Sequence, residues 1–212
     1  MNRPLLLIAA SGLAREVLPV LHESGRAVLG FLDDRHGELP RTIGGAPVLG
    51  SLDSIRLYPD ADVLVCIGSG TGRERVVAML SGLGVDATRY ATIVDPSVRN
   101  VGASPVGVGS ILLPGVVITA DAVIGAHVVA MPHVTITHDC LVDDFVTLAA
   151  GVVLGGGVHI GRGAYLGMNA SVRQGVSIGP GATIGMGAVV LTDIHDSGIW
   201  AGVPARPLGV TA

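Results

Sequence analysis

Residues Val128–Ile160 read VVAMPHVTITHDCLVDDFVTLAAGVVLGGGVHI, and Ala130, Ile136, Val142, Leu148, Leu154 and Ile160 recur in them at every sixth position. Followed outward, the register holds over fifteen positions without an insertion, from Val106, Leu112, Ile118 and Ile124 to Leu166, Val172, Ile178, Ile184 and Val190. A second small or aliphatic series precedes each position by two residues and includes Val116, Val134, Cys140 and Val176. A helix would repeat near 3.6 and an ordinary strand at 2. A period of six instead predicts a short strand, an inward aliphatic and a corner, repeated as a solenoid whose core is made only by stacking. Glycine follows the aliphatic at Gly107, Gly125, Gly155, Gly161, Gly167, Gly179 and Gly185, where a corner is expected to demand backbone angles costly to other residues.

The repeat resembles that of the hexapeptide-repeat acyltransferases. The resemblance implies a triangular left-handed parallel β-helix, in which the fifteen hexads make five coils of 18 residues. After Val190 the repeat breaks, and Gly202-Val203-Pro204-Ala205-Arg206 is similar to the G-x-P-A-(R/K) tail of those enzymes. Its prolines suit an extended cap that protects the last coil.

The chain has 212 residues and 32 glycines, but only two phenylalanines, one tryptophan and three tyrosines, so its core must be built from Val, Ile, Leu and Ala. A net charge of −4 provides no basic surface for nucleic acid. Only two cysteines occur, Cys66 and Cys140, both in apolar strand patterns. That usage predicts a reducing, cytoplasmic setting rather than a disulfide framework. The opening MNRPLLLIAASG is a weak signal peptide, because its apolar run breaks into a turn and an amphipathic helix. No apolar run has the length of a membrane span, so no membrane insertion is expected.

Ahead of the hexads, Leu5–Ala9, Val28–Leu32 and Val63–Ile67 read as buried parallel strands, with helices over Leu13–Glu23 and roughly Arg73–Leu83. Strands and helices alternating at this length predict a small α/β, Rossmann-like domain. The expected organisation is an α/β sugar- or nucleotide-sugar-binding domain over 1–90, a linker over 91–105, the β-helix over 106–194 and a cap over 195–212. Ligands of such sheets lie beyond the carboxyl ends of the strands, which singles out Gly12, Asp33, Asp34 and Gly68 as substrate-binding candidates. The first loop lacks a full GxGxxG, which disfavours dinucleotide binding. Ala9-Ala10-Ser11-Gly12-Leu13-Ala14 with Arg15-Glu16-Val17, Gly30-Phe31-Leu32-Asp33-Asp34 and Ile67-Gly68 extend the resemblance. They are similar to the sialic acid O-acetyltransferase and bacillosamine-type N-acetyltransferase group, and the likeness spans essentially the whole chain. It implies transfer of acetyl from acetyl-CoA to a sugar or nucleotide sugar, foremost the 4-amino group of a UDP-amino sugar, by a homotrimer.

Of seven histidines, His138 stands out in Thr137-His138-Asp139-Cys140. It lies between inward Ile136 and inward Cys140, so its imidazole should project outside the coil. Its neighbours 18 residues away, Ala120 and Gly156, are small. An imidazole takes a proton near neutral pH, as attack by an amine or hydroxyl on a thioester requires. The resemblance places the catalytic base at His138, with Asp139 as its helper and a backbone N–H as oxyanion donor. It also places acetyl-CoA in a groove between solenoids, lined by Thr147, Gly156, Met168 and Met186. Relatives often carry histidine where this chain has Thr147. Arg173 and Arg206 are further candidates for a phosphate, against solvated-corner and cap roles.

Two rival functions fit parts of the sequence. His133 and His138 have the H-x4-H spacing of a γ-class carbonic anhydrase, but Ser97 stands 36 residues before His133 where a third ligand is needed, so no metal is expected. A noncatalytic sugar-nucleotide-binding scaffold is the other, motivated by Thr147 and the altered first loop.

Overall fold

The computed structural model describes residues 3–208. It divides into two compact units, one over Met1–Gly68 and Gly72–Ile93, the other over Ser69–Thr71 and Val94–Ala212.

In the first unit, β1 (Leu5–Ile8), α1 (Gly12–Glu23), β2 (Val28–Leu32), β3 (Thr42–Ile43), β4 (Ala46–Gly50), β5 (Asp62–Val65) and α2 (Gly70–Gly82) follow in order. The sheet order is β3-β4-β2-β1-β5. Strands β4, β2, β1 and β5 are parallel, and β3 is antiparallel to β4. Strand β1 is wholly buried, which is why it reads as an unbroken apolar run. Helix α1 buries Leu13, Val17, Leu18 and Leu21, and Ser11 caps it by accepting from the Ala14 N–H. The sequence reading missed β3 and β4. Their signal was Gly44-Gly45, both at positive φ, between two short apolar segments.

The second unit is a left-handed parallel β-helix. Two-residue strands form three parallel sheets. Partners are 18 residues apart, as in Val123↔Leu141, Thr135↔Val153 and Thr147↔Tyr165. Arg99–Asn100, ahead of the hexad register, already pair with Val117–Ile118. At the far end the offset shortens to 16, in Thr183↔Ile199, and Ile199–Ala201 turns back antiparallel onto Arg206–Pro207. Both inward series are buried, from Leu112 and Val116 through Ile136 and Cys140 to Ala188 and Val190.

The corners correct the expected role of glycine. Fifteen residues spaced by six, from Ala103 to Gly187, have positive φ; they lie three residues after the inward aliphatic rather than one. Seven of them are not glycine: Ala103, Asp121, His127, His133, Asp139, Phe145 and Asn169. The glycines directly after the aliphatic answer a different need, which is room for the next coil. A Cβ at Gly155 would stand 2.6 Å from the Gln174 nitrogen, and one at Gly167 2.6 Å from that of Met186.

The first loop carries a similar strain. Ala9 holds φ of 72°, its N–H donating to Leu32 O at 2.9 Å. A left-handed backbone costs an L-residue roughly 1–2 kcal/mol, and freeing the unfolded chain with glycine returns about 0.4–1 kcal/mol of that advantage. Ala9→Gly should therefore stabilise the protein by about 1 kcal/mol. Thermal unfolding should show a midpoint higher by a few degrees; an unchanged or lower midpoint would contradict the strain.

Candidate functional site

His138 occupies the corner between the strands Thr135–Ile136 and Leu141–Val142. The adjoining coils fix the backbone here. His138 O accepts from Gly157 N at 2.8 Å, and Asp139 N donates to Ala120 O at 3.0 Å. Thr137 Oγ1 donates to Leu154 O at 2.7 Å. Adjacent side chains in a strand point apart, but Asp139 has φ of 59°. Asp139 Oδ2 lies 2.7 Å from His138 Nδ1, with the two side chains 66% and 64% exposed. At that exposure water screens most of the charge interaction, and what the contact supplies geometrically is a fixed direction for the ring. An ionised carboxylate only accepts, so in a neutral imidazole this contact favours the tautomer with Nδ1–H, whose Nε2 keeps its lone pair.

Gly156 lies against the ring. A Cβ there would overlap His138 Cε1 and Nε2, so this glycine makes room for the imidazole. Met168 and Met186 occupy successive coils, joined by the Gly187 N–H to Met168 O bond at 2.8 Å. Both are exposed, Met186 by 71%. Thr147 differs from them: it is only 3% exposed, on the outward side of its strand. Arg173 lines a shallow cleft of about 500 Å³ with Gln174 and Ser171, whereas Arg206 Nη1 bonds Ala205 O at 3.0 Å within the closing segment. Cys140 is buried in the core, its Sγ–H donating to Gly155 O at 3.2 Å, and burial raises its pKa. That environment suits a structural thiol rather than a nucleophile.

The first unit contains a cavity of about 360 Å³ beyond the carboxyl ends of β1, β2 and β5. Asp33, Asp34 and Gly68 line it, as do Ser11, Arg35 and Leu52; Gly12 begins α1 beside them without lining the cavity. Its apolar wall includes Ile8, Ile67, Val76 and Met79. Each oxygen of Asp33 already accepts from a backbone N–H. Its Oδ2 accepts from Ala10 N at 2.9 Å and its Oδ1 from Arg35 N at 2.9 Å, with the Arg35 Nε 3.6 Å away. Burial alone would raise the carboxyl pKa; those N–H donors and the guanidinium outweigh it and hold it below the ordinary value. Asp34 Oδ1 accepts from Leu52 N at 3.0 Å. The two aspartates thus tie three loops together. Leu52 had no motif to announce it, since β4 and the turn after it were not foreseen, and Arg35 follows the foreseen aspartates without a motif of its own.

Among the described residues, no group of three or more His, Cys, Asp or Glu is placed to hold a metal ion. No helix among them is long and apolar enough to cross a membrane.

Residues 157–192 match the family described as bacterial transferase hexapeptide (six repeats), and residues 4–80 match the PglD N-terminal domain. No curated protein matches the chain. Among solved structures, perosamine N-acetyltransferase from Caulobacter crescentus, a histidine-to-asparagine mutant in complex with CoA and GDP-perosamine, is 29% identical over 97% of each chain, with a TM-score of 0.89. The acetyltransferase domain of PglB from Neisseria gonorrhoeae is 30% identical over 98% of this chain and 100% of its own, with a TM-score of 0.87. WeeI from Acinetobacter baumannii is 30% identical over 97% and 99%, also with a TM-score of 0.87.

The contact beneath the imidazole can be tested. Gly156→Ala should displace His138 while leaving the fold in place, because the Cβ meets only that side chain within 4 Å among its nearest neighbours. A catalytic group moved by about 1 Å costs on the order of 10²-fold in rate. Steady-state turnover with circular dichroism as control should show that loss; normal turnover would remove His138 from the reaction or Gly156 from its support.

Proposed function

The chain belongs to the hexapeptide-repeat sugar-nucleotide N-acetyltransferases, and from that membership we propose that it transfers the acetyl group of acetyl-CoA to the amino group of a nucleotide-linked amino sugar, with His138 as general base. The observation that carries the role of His138 is its 2.7 Å contact with Asp139, which leaves Nε2 as the acceptor. The amine nitrogen attacks the thioester carbonyl and its proton passes to Nε2. The tetrahedral intermediate then collapses to the amide and expels the CoA thiolate, which takes the proton from Nε2 and returns His138 to its neutral form. Buried Cys140 takes no covalent part, so transfer is direct.

Met168 and Met186 are assigned to the acetyl-CoA side, as exposed thioether side chains in register on adjacent coils. Gly156 serves the same region by admitting the imidazole. Thr147 is buried, which argues against direct contact with CoA. In the first unit, Asp34, Arg35 and Gly68 are assigned to the sugar nucleotide, and Asp33 to holding the loops that receive it. Arg35 is the cationic side chain among the cavity's lining residues and suits a diphosphate. A relative in complex with GDP-perosamine widens the expected nucleotide beyond UDP.

The assembly is proposed to be a homotrimer, on the family resemblance and on outward apolar side chains such as Val123, Leu141 and Val153, all exposed in one chain. A cytoplasmic location fits two free, buried cysteines.

His138→Ala should retain the trimer mass in light scattering and the affinity for acetyl-CoA, while the chemical step slows by roughly 10²–10⁴-fold. Asp139→Asn should lose less, since an amide oxygen can still accept from Nδ1. Near-normal turnover in an assembled His138→Ala protein would overturn the mechanism, and a monomeric parent would overturn the assembly.

A further inference from the structure

Three successive carbonyls at the edge of the first-unit cavity are each held by a side chain. Ser11 Oγ donates to Cys66 O at 2.6 Å. Arg73 Nη1 donates to Ile67 O at 2.7 Å and to Gly68 O at 3.1 Å. Ser11 comes from the loop after β1 and Arg73 from α2, so two elements converge on the segment that follows β5. Arg73 is fully buried, a costly place for a guanidinium without hydrogen-bond acceptors. Burial draws its pKa down only to about 10, so it remains a cation at neutral pH.

We infer that Ser11 and Arg73 are positioning residues that preorganise the sugar-nucleotide pocket by clamping the carbonyls of Cys66, Ile67 and Gly68. The inference rests on the acceptor assigned to this cavity under the proposed function. Ile67 and Gly68 line the cavity. Fixing the direction of each carbonyl fixes the peptide planes on either side, and with them the Ile67 side chain and the Gly68 backbone. A ligand meeting a wall already in its bound shape loses less free energy to ordering it. Ser11 also accepts from Ala14 N at 3.2 Å, so one hydroxyl joins the α1 cap to the same wall.

The test uses Ser11→Ala, Ser11→Thr and Arg73→Gln in the full chain. The probe is whichever of GDP-perosamine or a UDP-linked 4-amino sugar the parent enzyme acetylates. In Ser11→Ala and Arg73→Gln, KM for the nucleotide amino sugar should rise about tenfold, while kcat and KM for acetyl-CoA stay within about twofold. Ser11→Thr, which keeps the hydroxyl, should restore the parental KM. Amide hydrogen exchange in residues 66–69 of Ser11→Ala should accelerate without added substrate, a readout independent of the acceptor's identity. A folded Ser11→Ala protein with parental KM overturns the inference, as does unchanged exchange in that segment. Equal losses in kcat and in both KM values would mean general damage and also count against it. Should the parent acetylate neither probe while Ser11→Ala shows faster exchange, the functional reading fails and the clamp survives only as a feature of the fold.

Discussion

The 18-residue offset between paired strands is the constraint on which the solenoid depends. It places each side chain above one neighbour and below another, and it leaves little freedom at the corners. His138 inherits its position from that offset. Its carbonyl is bonded from the coil on one side, through Gly157, and the next residue's N–H bonds to the coil on the other, through Ala120. The ring therefore stands on a backbone fixed from both directions, which is what the proposed base needs if it is to meet a substrate amine without reordering itself.

The same corners explain why a histidine and its adjacent aspartate can act together. In extended backbone they would face apart. The left-handed backbone at Asp139 turns the carboxylate to Nδ1, and a short polar residue tolerates that conformation better than a large one. Gly156 completes the arrangement by having no side chain where the ring must sit. Under the proposed mechanism each of the three residues would answer a different demand: proton transfer, orientation and space.

Much of this was legible in the chain. The six-residue period settled the inward series, including the burial of Cys140, because periodicity and core-facing position are the same fact seen twice. The resemblance singled out His138. What periodicity could not reveal was which residue of each hexad bears the backbone strain, since Asp139, Phe145 and Asn169 hold positions that glycine fills elsewhere. The glycines after the aliphatic looked like corner residues, yet their role is to let coils approach. In the first unit, the aspartates after β2 were visible, but their division of labour was not. Asp33 is bound to Ala10 and Arg35, and Asp34 to Leu52, through contacts whose partners lie up to 23 residues away. The Gly44-Gly45 hairpin was overlooked because its first strand is only two residues long.

The central claim is acetylation of a nucleotide-linked amine. Mass spectrometry of nucleotide 4-amino sugars incubated with the protein and acetyl-CoA tests it most directly. The account predicts a product carrying one added acetyl on the sugar nitrogen with the diphosphate intact, formed together with free CoA and only when both substrates are present. Binding of the nucleotide sugar without any CoA-dependent product, or acetyl transfer to a hydroxyl while the amine stays unmodified, would contradict it.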